Sequence, residues 1–397
     1  MISSPKYLLG IDLGGTYLRF ILAENKTGNI NILGDESSKR TYLSPFCRNN
    51  KELVSTQYEQ LCDTEKINTY IINKLEHYFA AMRIKKTQVI GVGISVAGKI
   101  ECDNSFIGAN VHLRPDSQKG KYQRIDLIPI LRKFMGYQIK IVIENDAIAA
   151  GIVQANYYQQ KGLDPNKTFY VTISTGIGGG GPKRDLDEIG HILIDGYFPE
   201  LKPLCGCGSY GCLETFASGE GIRKQAIRIL NIYFNEPDTF KELSIFEKIR
   251  TENKYDLSRI VKKSQLISFY TKNELTSEKI FSLANLDKKM LRTDQFAYYL
   301  IETAADRLAK VLISISRVHD IERFGMGGSV IFNNPCYLEL IKKKVASHKF
   351  CANFFPRQLV IEITPLGEYI ADYGALFLAV DTKYKKQWLA TITKIHH

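Results

Sequence analysis

The chain has 397 residues, 44% of them hydrophobic and 24% charged, with a net charge of +11. This is an ordinary globular composition, too long for one typical core, so two domains are expected. The positive charge is dispersed. Its densest clusters are Lys342–Lys344 and Lys383 with Lys385 and Lys386, short of the block of like charges that marks a nucleic-acid arm, so a solvated basic surface is expected and no nucleic-acid partner.

The first ten residues lack a basic segment followed by a long apolar run, and no stretch of about 18 apolar residues exists, so neither a secretory leader nor a membrane partner is expected. The chain is therefore placed in the cytoplasm. Lys6 to Asp12 predicts a buried strand, Gly14-Gly15-Thr16 a turn, and Tyr17 to Ala23 a second strand, together a hairpin. Apolar residues at helical spacing (Ile67, Tyr70, Ile71, Leu75, Phe79) predict an amphipathic helix over about 64–82. Strands follow at Val89–Val96 and Ile139–Ile143, the latter running into Glu144-Asn145-Asp146 and a small-residue helix from Ala147. Phe169, Val171 and Ile173 predict a further strand, followed by Ser174-Thr175-Gly176 and a glycine run from Gly178 to Gly181. Two strand–glycine turn–strand units half a chain apart indicate a duplicated domain. The segment 223–290 is polar, helical in flavour and without a site motif, and reads as a helical insertion. A long helix spans Phe296 to Ile315, capped by Thr293 or Asp294, and Arg323 to Ser329 reads as a strand entering Gly327-Gly328. Strands alternating with helices mean α/β layers.

Four motifs carry chemistry. Asp12-Leu-Gly14-Gly15-Thr16 ends a strand with a carboxylate and follows it with glycines that admit close ligand approach. Its backbone amides can form an anion nest, and Asp12 can hold Mg²⁺ or its waters beside phosphates. The competing reading is a plain hairpin turn. Ser174-Thr175-Gly176-Ile-Gly178-Gly179 offers hydroxyls and bare backbone to a triphosphate, without the Gly-Lys-Ser/Thr of a Walker loop. Asn145-Asp146 sits where a strand opens a helix. Asp146 can accept a proton from an attacking hydroxyl and Asn145 can bond neighbouring hydroxyls, or the pair can simply cap the helix.

The fourth motif is Glu188-Ile-Gly190-His191 followed by Cys205-Gly-Cys207-Gly-Ser-Tyr-Gly-Cys212-Leu-Glu214. Eight cysteines in a cytoplasmic chain, three of them crowded into eight residues, indicate metal rather than disulfides. His191, Cys205, Cys207 and Cys212 make a closed tetrahedral set suited to structural Zn²⁺, with no open position for catalysis. A loop clipped by metal gives Glu188 and Glu214 the rigidity that recognition of a polyol needs.

Taken together, Asp12-Leu-Gly-Gly-Thr16, Glu144-Asn-Asp146, Ser174-Thr-Gly-Ile-Gly-Gly179, Glu188-Ile-Gly-His191, the cysteine knuckle through Glu214 and Gly327-Gly328 resemble the ROK family of sugar kinases and related repressors, from Leu8 to about Ala375. The resemblance implies a two-lobed actin-like (ribonuclease H-like) α/β fold of duplicated domains, as in hexokinase, with ATP in the interlobe cleft. The first lobe would span 1–122 and the larger second lobe 123–397, with the last helix able to return to the first. It implies Asp146 as general base. Gly98, Asn145, Asp146, Glu188, His191 and Glu214 would hold the sugar, with His191 offering one ring nitrogen to zinc and the other to a hydroxyl. Asp12, Gly14, Gly15, Thr16, Thr175, Gly176 and Gly178 would hold ATP and Mg²⁺, and Gly327 and Gly328 would lie near adenine.

The implied reaction is ATP-dependent phosphorylation of a hexose at its 6-hydroxyl. Glucose is the first choice and an N-acetylhexosamine (N-acetylglucosamine or N-acetylmannosamine) the second, because Ala97-Gly98 replaces the family's usual Pro-Gly. Asp185-Leu-Asp187, where relatives often carry Gly-x-Gly, and the Trp-free stretch Asn110–Lys121 are further departures. The family's non-enzymatic sugar-responsive repressors carry an N-terminal helix-turn-helix, for which the strand at Lys6 leaves no room, and both Asp12 and Asp146 are present, so an enzyme is expected. A homo-oligomer is expected by the same resemblance.

Overall fold

A computed structural model describes residues 5–26, 29–33, 41–46, 50, 64–108, 124–182, 188–194, 203–252, 254–286, 293–348, 359–381, 384, 385 and 388. In chain order β1 (Tyr7–Leu13), β2 (Tyr17–Lys26), β3 (Asn29–Leu33) and β4 (Thr41–Leu43) precede α1 (Thr64–Met82). Then come β5 (Val89–Val96), β6 (Gly98–Ile100), β7 (Phe106–Gly108), β8 (Arg124–Ile125), α2 (Ile128–Met135), β9 (Lys140–Asn145), α3 (Asp146–Gln160), β10 (Thr168–Ile173) and β11 (Ile177–Gly180). A helical stretch follows: α4 (Glu214–Ala217), α5 (Gly219–Asn235), α6 (Pro237–Arg250), α7 (Leu257–Lys262), α8 (Leu266–Thr271), α9 (Ser277–Ala284) and α10 (Gln295–His319). The chain continues through β12 (Arg323–Gly327), α11 (Ser329–Asn333), α12 (Pro335–Ser347), β13 (Val360–Ile363) and α13 (Ile370–Ala379). No helix among the described residues is long and apolar enough to cross a membrane.

Two compact units result. One comprises Met1–Tyr170, Gly180–Asp187 and Thr364–His397, the other Val171–Gly179 and Glu188–Ile363. The expected break at 122/123 differs from this division for a simple reason. β9 pairs in parallel with β5 and α3 packs against α13, so 124–170 build the first unit's sheet and its cover. The last helix, α13, belongs to that unit and packs on β1, β5 and α3.

The first unit's main sheet runs β3-β2-β1-β5-β9, with β4 on β2. β1 and β2 form the expected hairpin, antiparallel, while β1–β5 and β5–β9 are parallel. β1 is buried along its whole length, which explains why it reads as a continuous apolar run. Its alternate residues feed different cores. Leu9, Ile11 and Leu13 join Phe20, Leu75 and Leu131 on the face covered by α1 and α2. Leu8 joins Ile21, Val153, Leu376 and Phe377 on the face covered by α3 and α13. Gly93 on β5 faces this second cover, where a Cβ would lie 1.9 Å from the Ala375 carbonyl oxygen. Only glycine lets α13 lie this close to the strand.

The second sheet runs β11-β10-β12-β13. In the second unit α10 buries one long face from Phe296 to Ile315 and packs on α4, α9 and α12. Asp294 is its cap, accepting the Phe296 and Ala297 amides. The region 223–290, expected to be helical, supplies most of α5 and all of α6 to α9.

Candidate functional site

Period-2 alternation decides which side chains meet at the carboxyl ends of the first sheet. Asp12 is in register with Arg19 on β2 and with Ser95 on β5, and Ser95 with Glu144 on β9. Asp12 is almost fully buried. Its Oδ1 accepts the Ser95 hydroxyl at 2.6 Å and its Oδ2 lies 3.6 Å from Arg19 Nη1. The same Arg19 nitrogen donates to Asp372 Oδ2 at 3.0 Å, and Asp372, on α13, is fully buried. Burial opposes the Arg19 charge, but the Asp12 and Asp372 carboxylates outweigh it and hold the guanidinium's pKa above its usual value.

The Gly14–Thr16 turn is braced from β4. Ser44 Oγ donates to the Gly14 carbonyl at 2.6 Å and the Ser44 amide to the Thr16 carbonyl at 2.9 Å. Two strands over from β1, at the end of β9, Asn145 caps α3, its Oδ1 accepting the amides of Ala147 and Ile148, while its Nδ2 donates to the Gly98 carbonyl at 3.0 Å. The capping reading is thus correct for Asn145, and Gly98 is brought to it. Asp146, half-buried, is the first residue of α3, where the helix dipole favours a carboxylate. Asp12, Gly14, Gly15, Thr16, Gly98, Asn145 and Asp146 therefore gather at the ends of β1, β5 and β9.

In the second unit Thr175 is exposed, with Gly176 and Gly178 partly so. The turn is locked at Ser174, whose amide donates to the Gly176 carbonyl at 2.9 Å, whose carbonyl accepts the Gly219 amide at 2.8 Å, and whose hydroxyl accepts the Ser329 amide at 3.1 Å. Gly327 ends β12 and Gly328 caps α11 with φ of 90°, its Cα so close to β10 that a Cβ would sit 2.4 Å from the Ile173 carbonyl oxygen. Both conditions demand glycine. Glu214 opens α4 and its Oε2 accepts the Ile177 amide at 3.0 Å, so it is tied to the glycine turn.

The knuckle assembles as the spacing predicts. The ligand atoms of His191, Cys205, Cys207 and Cys212 all lie within 4.8 Å of one another. His191 Nδ1 is 3.4 Å from Cys205 Sγ and the Cys207 and Cys212 sulfurs are 3.6 Å apart. Those separations match the edges of a tetrahedron around a divalent ion, about 3.3–3.8 Å for zinc bond lengths, and exceed any disulfide. Glycines at Gly208 and Gly211 take φ of 90° and 81° in the turn. Burial pushes the Cys205 thiol up, and burial with the Cys207 contact pushes Cys212 up to about 11. Burial raises Cys207, but hydrogen bonds to its sulfur from the Ser209 backbone, the Cys212 and Cys205 thiols and the Ser209 hydroxyl outweigh it and lower the pKa. Three thiols and an imidazole so placed could hold a metal ion, whose charge would favour loss of the thiol protons. His191 Nε2, away from the sulfurs, lies 3.6 Å from Glu188 Oε2.

The sequence reading missed Arg19, Ser95, Asp372, Ser44 and Ser329. Arg19 was within reach, since a hairpin turning at Gly15-Thr16 puts it opposite Asp12. Asp372 lies 353 positions from Arg19 and no local pattern connects them. The departures at Asp185–Asp187 and Asn110–Lys121 fall outside the described residues.

Residues 8–382 match the family model described as the ROK family. A glucokinase of Halalkalibacterium halodurans is 26% identical over 289 residues, covering 70% of this chain and 72% of that one. A xylose repressor of Caldicellulosiruptor bescii is 21% identical over 385 residues, covering 94% and 78%. Among solved structures, a ROK family glucokinase from Streptomyces griseus in complex with glucose and AMPPNP superposes with a TM-score of 0.56 at 21% identity, over 95% of this chain and 99% of that one. The α/β architecture is accordingly the actin-like fold of these structural neighbours.

Proposed function

This chain belongs to the ROK family, and from that premise we propose that it is an ATP-dependent sugar kinase that phosphorylates the 6-hydroxyl of a hexose, glucose first. The observation that carries this reading is the pair of carboxylates, Asp12 and Asp146, at the ends of β1 and β9 in one sheet, the edge at which open α/β sheets bind ligands. A protein that only senses sugar needs no proton acceptor beside it.

Asp146 takes the proton as the hydroxyl oxygen attacks the γ-phosphorus, and the bond to the β–γ bridging oxygen breaks to release ADP. Mg²⁺ at Asp12, when bound, neutralises charge on the phosphates. The Gly14–Thr16 turn and the Thr175–Gly178 turn offer amides and hydroxyls to the phosphates, and Gly327-Gly328 is the turn assigned to the adenosine. Asn145 spends one Nδ2 hydrogen on Gly98, and its second can meet a sugar hydroxyl. Glu188 and His191 Nε2 are partly exposed acceptors and donors for further hydroxyls. His191, Cys205, Cys207 and Cys212 hold a structural Zn²⁺.

The reading is tested by measuring ADP release with the purified chain, ATP, Mg²⁺ and a panel of hexoses and N-acetylhexosamines. Turnover is expected with glucose. A sugar-responsive regulator, the function named for the xylose repressor relative, predicts sugar binding by calorimetry with no ADP formed from any sugar, and that result would overturn the kinase reading.

A further inference from the structure

Arg19 stands between two buried carboxylates and contacts them unequally. Its Nη1 is hydrogen-bonded to Asp372 at 3.0 Å but only approaches Asp12, at 3.6 Å. Asp12 in turn is fixed from its other side by Ser95 at 2.6 Å. All four residues belong to the first unit. Asp12, Arg19 and Ser95 are in register on three neighbouring strands. Asp372 comes from the first turn of α13, the helix that covers this face of the sheet.

An arginine with one acidic neighbour forks onto it with two parallel bonds. Here the second carboxylate draws the fork away. Without Asp372, Arg19 would have only Asp12 to bind. We propose that Asp372 is a positioning residue: by holding Arg19 it keeps that guanidinium out of direct hydrogen bonding with Asp12 and leaves Asp12 open to the cation that accompanies the nucleotide. The inference rests on the role given to Asp12 above.

Its test has two readouts, the Mg²⁺ dependence of ADP formation and the binding of Mn²⁺ with ADP, followed by electron paramagnetic resonance without turnover. Asp372→Asn is expected to raise the Mg²⁺ half-saturation and weaken Mn²⁺ binding by about tenfold, the scale of one charge-assisted hydrogen bond formed in competition, with the KM for sugar unchanged. The same substitution made on an Arg19→Gln background is expected to leave metal binding where Arg19→Gln alone puts it. This second comparison removes both charges together, so it holds even where Asp372→Asn alone fails to fold. Unchanged metal affinity in folded Asp372→Asn, or a further loss on the Arg19→Gln background, overturns the proposal while the kinase reading stands. A wild-type chain that neither forms ADP nor binds Mn²⁺ with ADP refutes the kinase reading and this inference with it.

Discussion

The acid site of the first unit and the cysteine knuckle of the second are built on opposite plans. The knuckle draws its four ligands from 22 consecutive residues, His191 to Cys212, and glycine turns bend that short chain around one point. The acid site draws Asp12, Arg19, Ser95, Asp146 and Asp372 from across the chain, and a six-strand sheet with its covering helices brings them into place. A local plan needs a metal to be rigid, because a short loop has almost no core of its own. A long-range plan borrows rigidity from the sheet, and its precision depends on every strand keeping register.

The largest effect is expected at Asp146, the proposed base. Asp146→Asn keeps the shape of the first helical residue but removes the proton acceptor. Turnover should fall by about 10³-fold, or about 4 kcal/mol of barrier, while sugar binding by calorimetry survives. Near-normal turnover in this variant would mean that Asp146 is not the base. The knuckle answers differently. The chain should carry about one zinc by metal analysis, the count that one four-ligand set accommodates. Cys205→Ser should lose that metal and about 3 kcal/mol of stability, seen in thermal melts. If protein purified without chelator holds no zinc, or the variant melts with the wild type, the four ligands are not a metal clip.

This contrast also explains what the sequence made readable. The knuckle, the β1–β2 hairpin, α1 and the long helix α10 follow from spacing and periodicity alone. Asp372 does not, since its meaning comes only from the helix that returns at the chain's end to cover the sheet. The region 223–290 resisted for another reason. Charge normally marks a surface, yet Glu247 in this region is buried, as is Glu302 on the neighbouring α10. Glu247 takes Arg250 and the Tyr299 hydroxyl, and Glu302 takes Lys254, Lys344 and the Tyr255 hydroxyl. A polar stretch thus packs as a core whose acids are paired, a pattern that no hydrophobic period reveals.

Smaller effects are expected at the glycine turns. Gly328→Ala puts a methyl 2.4 Å from the Ile173 carbonyl in a residue at φ of 90°. It should destabilise the chain by about 2 kcal/mol, with a KM for ATP that rises more than the KM for sugar. A rise confined to sugar would place Gly328 away from the nucleotide.

The gentlest perturbation is Ser44→Ala. Ser44 is fully buried, and its hydroxyl donates to the Gly14 carbonyl at 2.6 Å while accepting the Phe46 amide at 3.1 Å. Removing it leaves one carbonyl and one amide without that partner, a loss of about 1 kcal/mol. If the first turn is held by the sheet, as the long-range plan requires, the cost should appear in the melting temperature and in a small rise of the KM for ATP, with zinc content unchanged. A variant that also sheds zinc would show the two sites to be one cooperative unit, and the contrast between a local and a long-range plan would no longer describe this molecule.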